Sequence, residues 1–139
     1  MFSIGDRRVG KGEPVFIIAE LSGNHGGDIN KAKEIIAKAA DSGVDAIKLQ
    51  TYTADTITID SSNPEFIVGG GKLWEGERLY DLYSQAHTPW EWHGPIMDRA
   101  SELGLICFSS PFDETAVDFL EDLNVPAYKI ASFENNHLP

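Results

Sequence analysis

Gly43-Val44-Asp45-Ala46-Ile47-Lys48-Leu49-Gln50-Thr51 sets a helix stop directly against an apolar run, and the reading of that junction decides the fold. The run 46–49 reads as a buried strand. Ahead of it, Asp28 can cap a helix in which Ile29, Ala32, Ile36 and Ala39 recur at helical spacing, and Gly43 ends that helix in a left-handed position. The same junction returns at Leu103-Gly104-Leu105 and Leu123-Asn124-Val125, ahead of the runs 105–108 and 127–131. The run 15–19 supplies an earlier strand of the same kind. Between the second and third strands, Leu79, Leu82, Tyr83 and Ala86 form one short helical face. Thr88-Pro89-Trp90-Glu91 then reads as a capping box with proline at the first helical position, opening a helix through Ile96, Met97, Ala100 and Leu103. Asp113 caps a further helix carrying Ala116, Phe119, Leu120 and Leu123.

Strands joined in succession through helices must be parallel, with right-handed crossovers and both sheet faces covered. That leaves a barrel or a doubly wound sheet. No Gly-x-Gly-x-x-Gly follows the first strand, and Gly69-Gly70-Gly71 stands too far from a strand-to-helix turn to cradle phosphates, which disfavours nucleotide binding. The opening residues 2–10 alternate weakly around polar turn residues and suggest a short β-hairpin.

Composition narrows the function classes. The 139 residues are 42% hydrophobic and 24% charged, the make-up of a globular domain with a core. Eleven Lys and Arg against 22 Asp and Glu give a formal charge of −11, which repels nucleic acid and anionic lipid, so neither is expected as a partner. No apolar run approaches the length that spans a bilayer, and Met1 leads into a polar turn, so a cytoplasmic location is expected. Cys107, the single cysteine, sits in an apolar run and reads as a small core hydrophobe.

The strands end in polar residues: Glu20, then Lys48 and Gln50, then Ser109 and Ser110, then Lys129, Ser132 and Glu134. In parallel α/β folds the carboxyl edge of the sheet is where ligands bind. Lys48 and Lys129 each interrupt an apolar strand, where an unpaired ammonium is costly, so each calls for an anion. That anion is either an internal carboxylate such as Glu20 or Glu134, or a ligand. Side-chain alternation puts Lys48 and Gln50 on one face, and Phe108 with Ser110 on one face. Two lysines with the hydroxyls of Ser110 and Ser132 suit a small phosphorylated or carboxylated ligand, leaving Glu20 and Glu134 to its uncharged partner. His87, His93 and His137 lack the spacing of a metal pair and read as surface or capping residues, while His25 admits a functional or a structural reading. The stretch 51–77, with Tyr52, Phe66 and Trp74, exceeds normal loop lengths and is either a lid or a local aromatic cluster on the rim.

Ile18-Ala19-Glu20, Asn24-His25-Gly26-Gly27-Asp28, Lys48-Leu49-Gln50-Thr51, Phe108-Ser109-Ser110-Pro111-Phe112 and Pro126-Ala127-Tyr128-Lys129-Ile130-Ala131-Ser132, in this order, resemble the sialic acid synthase family over nearly the whole chain. The stretches 52–60, Leu73-Trp74-Glu75-Gly76 and Thr88-Pro89-Trp90-Glu91-Trp92 look most like its pseudaminic acid synthase branch, with N-acetylneuraminate and legionaminate synthases as alternatives. The resemblance implies the N-terminal half of a (β/α)8 TIM barrel over residues 15–139, four parallel strands with intervening helices, preceded by a hairpin over 1–14. The rest of the barrel and a C-terminal antifreeze-like domain would lie outside this chain.

The activity implied is condensation of phosphoenolpyruvate with an N-acetylated amino-sugar aldehyde to a nine-carbon 2-keto acid, with release of phosphate. By the same resemblance Lys48, Ser110, Lys129 and Ser132 hold phosphoenolpyruvate, Glu20 and Glu134 contact the sugar, and Glu20, Lys48 and Lys129 carry the catalysis. Relatives often have threonine where Ser110 stands; the hydroxyl is kept. A family asparagine that meets the sugar has no secure counterpart, Asn63 included. A swapped homodimer is implied, and a divalent metal, Mn2+ or Mg2+, whose ligands come from later strands. Two other readings stand beside this one: a Schiff-base aldolase using a strand lysine, and a non-catalytic ligand-binding fragment. Four strands without a fifth would expose a sheet edge, so self-association is expected, and the 139 residues alone are expected to be inactive.

Overall fold

Asp28 caps the first helix as its side chain predicts, accepting from the Asn30 N–H at 2.8 Å, and α1 runs Ile29–Asp41 until Gly43 turns the chain at φ +77°. The computed structural model describes residues 1–71 and 73–138; Lys72, within the stretch 51–77, and Pro139, at the end of the expected half-barrel, lie outside the described residues. The chain opens with an antiparallel hairpin, β1 (Phe2–Ile4) against β2 (Arg7–Val9), and then enters β3 (Ile18–Glu20), α1 and β4 (Ala46–Thr51). A short α2 (Ala54–Ile57), α3 (Leu79–Ala86), α4 (His93–Glu102), β5 (Ile106–Pro111) and α5 (Glu114–Asp122) follow. The sheet is parallel and sequential, β3-β4-β5, with Glu20 opposite Lys48 and Gln50 opposite Ser110.

The pleat divides this sheet into two faces. Ile47 and Leu49 join Cys107 on one side, where Ala32 and Ile36 of α1 and Ile96 and Ala100 of α4 close the main core. Cys107 packs there as the small hydrophobe expected, its thiol pushed up to about 12 by burial. Ala46, Lys48, Gln50, Phe108 and Ser110 point to the other side by alternation. At the amino end of that second face the hairpin packs close: a Cβ on Gly5, at φ +59°, would meet the Ile106 side chain at 3.3 Å. Asp45 secures the hairpin by pairing with Arg7 and by accepting the Ile17 N–H at 2.7 Å, and that backbone bond, with Arg7, holds its carboxyl below the usual range. The carboxyl end of the face stays open.

Four expectations need correction. The first strand was expected buried over 15–19, but it is the short edge strand Ile18–Glu20, with Val15 80% and Ile17 50% exposed, because it is paired on one side. The fourth strand, expected over 127–131, is one parallel bridge, Ser109 to Tyr128, with the Lys129 N–H donating to the Ser109 carbonyl at 3.0 Å. The next rung would need an N–H at Pro111, which proline lacks. The capping box at Thr88 does not form: the helix begins as a 3-10 turn, Trp90–Trp92, and the Thr88 hydroxyl goes to His25 instead. The stretch 51–77 is not a bare loop; it holds α2, a 3-10 turn (Pro64–Phe66) and a bridge between Ile67 and Arg78.

Candidate functional site

Lys48 is the best-placed of the expected site residues. It is 9% exposed on the open face of the central strand, and its ammonium lies 3.1 Å from the carboxylate of Glu20, its partner in the register. The internal-carboxylate reading of Lys48 is therefore the one the structure displays. Glu20 is the exposed member of the pair, its side chain 61% accessible against 10% for Lys48.

Ser110 is buried on the same face as Lys48, directly across from Gln50. The bridge of Ser109 to Tyr128 puts Lys129 in register with Ser110, so the pleat directs Lys129 to this face as well. Two ladder steps and two residues of rise separate the Lys48 and Lys129 backbones by roughly 12 Å, within joint reach of two lysine side chains around one small anion. Lys129 differs from expectation in being exposed rather than buried, since its strand stops after one rung. Ser132 is exposed on the turn that follows. Glu134 begins a 3-10 turn, and its Oε2 is buried with no hydrogen-bond partner among the described residues.

Three adjoining cavities at the carboxyl end of the sheet share Phe112 and Glu134. Gln50 and Tyr52 line one of them with Tyr83 of α3, so Lys48 stands one row below this rim. Tyr52 is 4% exposed and meets the edges of Tyr83 at 5.6 Å and Phe112 at 5.5 Å. Burial, then Tyr83, pushes its hydroxyl up to about 12, so it stays a neutral donor. Of the two readings of the stretch 51–77, the aromatic cluster is the one seen at Tyr52. The stretch is also tied down by Tyr80 donating to Asp55 at 2.8 Å and by Arg78 reaching Asp60 and Asp81. Tyr83 was missed from sequence because its helical spacing marks it as a packing residue; its place beside two strand-end aromatics is a tertiary fact.

The histidines do structural work. His25 is fully buried, accepts from the Gly27 N–H through Nδ1 at 3.1 Å, and so donates from Nε2 to Thr88 at 3.1 Å. His93 is fully buried too, contrary to the surface or capping reading. Its Nδ1 donates to the Pro89 carbonyl at 3.3 Å, so Nε2 accepts from Thr51, which accepts in turn from Ser109 at 2.7 Å. Burial first of all lowers the pKa of both rings. His87 caps α3 through Nδ1 to the Ser84 carbonyl, and His137 is exposed beside Glu114, as expected of them. Among the described residues no three His, Cys, Asp or Glu side chains gather to hold a metal ion, and no helix is long and apolar enough to cross a membrane. With both ring nitrogens of His25 and His93 already engaged, the residues present do not fit the divalent metal that the sequence resemblance implies.

Over 122 residues the chain is 52% identical to the pseudaminic acid synthase of Campylobacter jejuni, covering 88% of this chain and 35% of that protein. It is 50% identical over 122 residues to the pseudaminic acid synthase of Helicobacter pylori, with 88% and 36% covered. The chain thus spans about a third of the length of these curated relatives. Among solved structures, the N-acetylneuraminic acid (sialic acid) synthetase of Leptospira borgpetersenii, in complex with citrate, superimposes with a TM-score of 0.77 at 30% identity, over 96% of this chain and 41% of that one. The NeuB family model matches residues 35–139, from α1 through every carboxyl-edge residue after Glu20, and the chain belongs to the NeuB family.

Proposed function

We propose that the full-length protein is a phosphoenolpyruvate-dependent synthase that joins C3 of phosphoenolpyruvate to the aldehyde carbon of an N-acetylated amino sugar. This chain would be the first half of its (β/α)8 barrel, with the remaining strands pairing along the exposed edge of β3 and beyond Tyr128, and the whole working as a cytoplasmic homo-oligomer. The observation that carries the reading is the register: Lys48 is buried on the face where Gln50 stands opposite Ser110, and the Ser109–Tyr128 bridge sets Lys129 beside Ser110, so strand parity supports a shared site at the carboxyl end of that face. Helices α1 and α4 on the opposite face, and strands in sequential order, favour barrel winding over a doubly wound sheet.

In this reading the trianion displaces Glu20 from the Lys48 ammonium, and Lys129, Ser110 and Ser132 complete its grip. Held so, the nucleophilic carbon meets the aldehyde with little loss of entropy at the moment of reaction. The new carbon-carbon bond leaves positive character at C2; water adds there, and the tetrahedral species expels phosphate, which takes the C2 hydroxyl proton with it as hydrogen phosphate, to give the keto group. The water's surplus proton ends on the former aldehyde oxygen, and the freed Glu20 is the group placed to relay it. Glu134 grips sugar hydroxyls. The divalent metal implied by the resemblance has no ligand set among the described residues, and no step here is drawn through it.

Identity near one half to two pseudaminic acid synthases, against 30% to the neuraminic enzyme, favours the pseudaminic substrate over N-acetylneuraminate or legionaminate chemistry. A Schiff-base aldolase would need a neutral lysine, whereas Lys48 is held by a carboxylate. The test is phosphate release by the full-length protein from phosphoenolpyruvate and amino sugar. Glu20→Ala and Lys129→Ala should each abolish it, and near-normal turnover in either variant would remove that residue from the machinery.

A further inference from the structure

Helix α3 stands between two cavities. Tyr83 turns to the one over β4 and β5, while Leu82, Gln85 and Ala86 turn to a second, of about 430 Å3, that faces the loop 21–28. Gly23, Gly26 and Trp74 complete its wall, and among the described residues only Gln85 and the indole N–H of Trp74 bring polar side-chain groups to it. Gly23 must be bare for the loop to come this close, since a Cβ there would meet the Ala86 carbonyl oxygen at 2.8 Å. The loop is fixed on its inner side: Leu21 and His25 are fully buried, and His25 is tied to Thr88. The groove is therefore preformed, yet Trp74 beside it is 47% exposed and the neighbouring Leu73 88%. Exposed apolar surface along a preformed groove marks a contact still to be made.

The place of the groove in the sheet says what makes that contact. The loop 21–28 leaves the carboxyl end of β3, the edge strand, with Val15, Ile17 and Ile18 exposed along and ahead of it. In a closed barrel the last strand pairs with this edge and runs parallel to it. The chain leaving that strand then emerges at the level of Glu20, beside the loop 21–28. The curated relatives have ample length for it, since this chain spans about a third of theirs. A segment delivered there by its own strand meets the groove at high effective concentration, without the loss of translational freedom that a separate partner incurs.

Resting on the barrel of the synthase reading, we propose that the groove between the loop 21–28 and α3 seats the segment that immediately follows the last barrel strand of the same full-length chain, through an apolar side chain laid against Trp74. The contact joins the last loop of the barrel mouth to the first, directly after Glu20.

The test replaces Trp74 by the photo-crosslinker p-benzoylphenylalanine in the full-length protein. A second variant carries it in place of Gln85, an exposed helix position that keeps the test alive if the first variant fails to fold. Irradiation should give an intramolecular product that runs at monomer mass in a denaturing gel, its cross-linked peptide drawn from the stretch after the last strand. Product at dimer mass would assign the groove to a second copy and overturn the proposal; cross-links confined to any other segment, or none, would overturn it too. Trp74→Ala should speed amide hydrogen exchange in that same peptide about tenfold, the effect of losing one aromatic anchor, and an unchanged rate would count against the contact. Phosphate release by the wild-type preparation separates the two readings. An active enzyme whose variants lack the cross-link loses only this inference, and an inactive one whose variants give it loses only the synthase chemistry.

Discussion

Ser109 and Ser110 stand side by side on β5, 1% and 2% exposed, and the pleat sends their hydroxyls to opposite sides of the sheet. Ser109 turns toward the helices and donates to Thr51, which donates to His93, which donates to Pro89; the chain joins two strands to the start of α4. Ser110 turns to the open face with Lys48 and Gln50. Burial alone does not separate the two residues, and neither does residue type. What separates them is that every group in the Ser109 chain has a buried protein partner, whereas the other face gathers an ammonium whose partner Glu20 is exposed and a buried carboxylate oxygen with no partner among the described residues, around open space. One strand thus carries a structural row and a ligand row, offset by a single residue.

The contrast breaks most sharply at Lys48 and Leu49. Lys48→Met in the full-length enzyme should lower kcat/KM by about a thousandfold, the scale of losing one charged donor from an anion site. Its effect on stability should stay within about 1 kcal/mol, because the methionine keeps the stem packed and leaves Glu20 solvated. Leu49→Ala should do the reverse, costing about 3 kcal/mol in urea unfolding through the cavity left between β4 and its helices, with turnover per folded molecule little changed. If Lys48→Met proved as destabilising as Leu49→Ala, the ammonium would be part of the scaffold and the two-row division would fail.

Much of this division is legible in the sequence, because strand parity is local. Lys48 and Gln50 must share a face once a strand is assigned, and the caps at Asp28 and Asp113 are settled within a few residues of each; Asp113 accepts from Thr115 and Ala116 as its position predicts. What escapes the sequence is every case where a side chain has a local and a distant claimant. Thr88 has the spacing of a capping residue, but a buried histidine from the first strand-to-helix loop takes its hydroxyl. His93 looks like a helix-start histidine on the surface, yet Thr51 and Phe119 bury it, the latter ring at 5.3 Å. The fourth strand reads well on its own residues and is cut short by Pro111 on its neighbour. Tyr83 satisfies a helical pattern and also walls a cavity, and spacing reports the first fact alone.

The structural row, with the buried His25 beside Thr88, has a pH signature of its own. His25 and His93 are both buried neutral, with pKa values lowered below the ordinary 6.5 chiefly by burial. Above that value both are neutral folded or unfolded and contribute no pH dependence. As pH falls below it, the unfolded chain takes up protons that the folded chain refuses, so stability declines by up to about 1.4 kcal/mol per pH unit for each ring until the lower folded pKa is reached. Urea midpoints measured from pH 7.5 to 5 should fall, and His93→Gln should flatten the slope by about half. An unchanged slope in that variant would mean that the clamp around Thr51 and Pro89 is not what resists protonation. Asp45 acts in a separate, more acidic window, since its lowered pKa yields stability that is lost only as pH falls through the carboxylate range.

The smallest effects make the finest comparison, because the two serines differ in nothing but direction. Ser109→Ala removes the donor at the head of the buried chain, and Thr51 then holds its own proton toward His93 with one acceptor site unfilled. A loss of about 1 kcal/mol is expected, with kcat/KM unchanged. Ser110→Ala removes a hydroxyl from the ligand row, so stability should move by less than about 0.5 kcal/mol while KM for phosphoenolpyruvate rises about tenfold, the cost of one charge-assisted hydrogen bond. Ser110→Thr restores the hydroxyl and should restore KM. The double alanine variant should show the two losses independently, stability following Ser109 and KM following Ser110, since their partners lie on opposite sides of the sheet. Coupling above about 0.5 kcal/mol in either readout would show that the strand transmits between its faces, and the open face would then owe its geometry to the hydroxyl chain behind it.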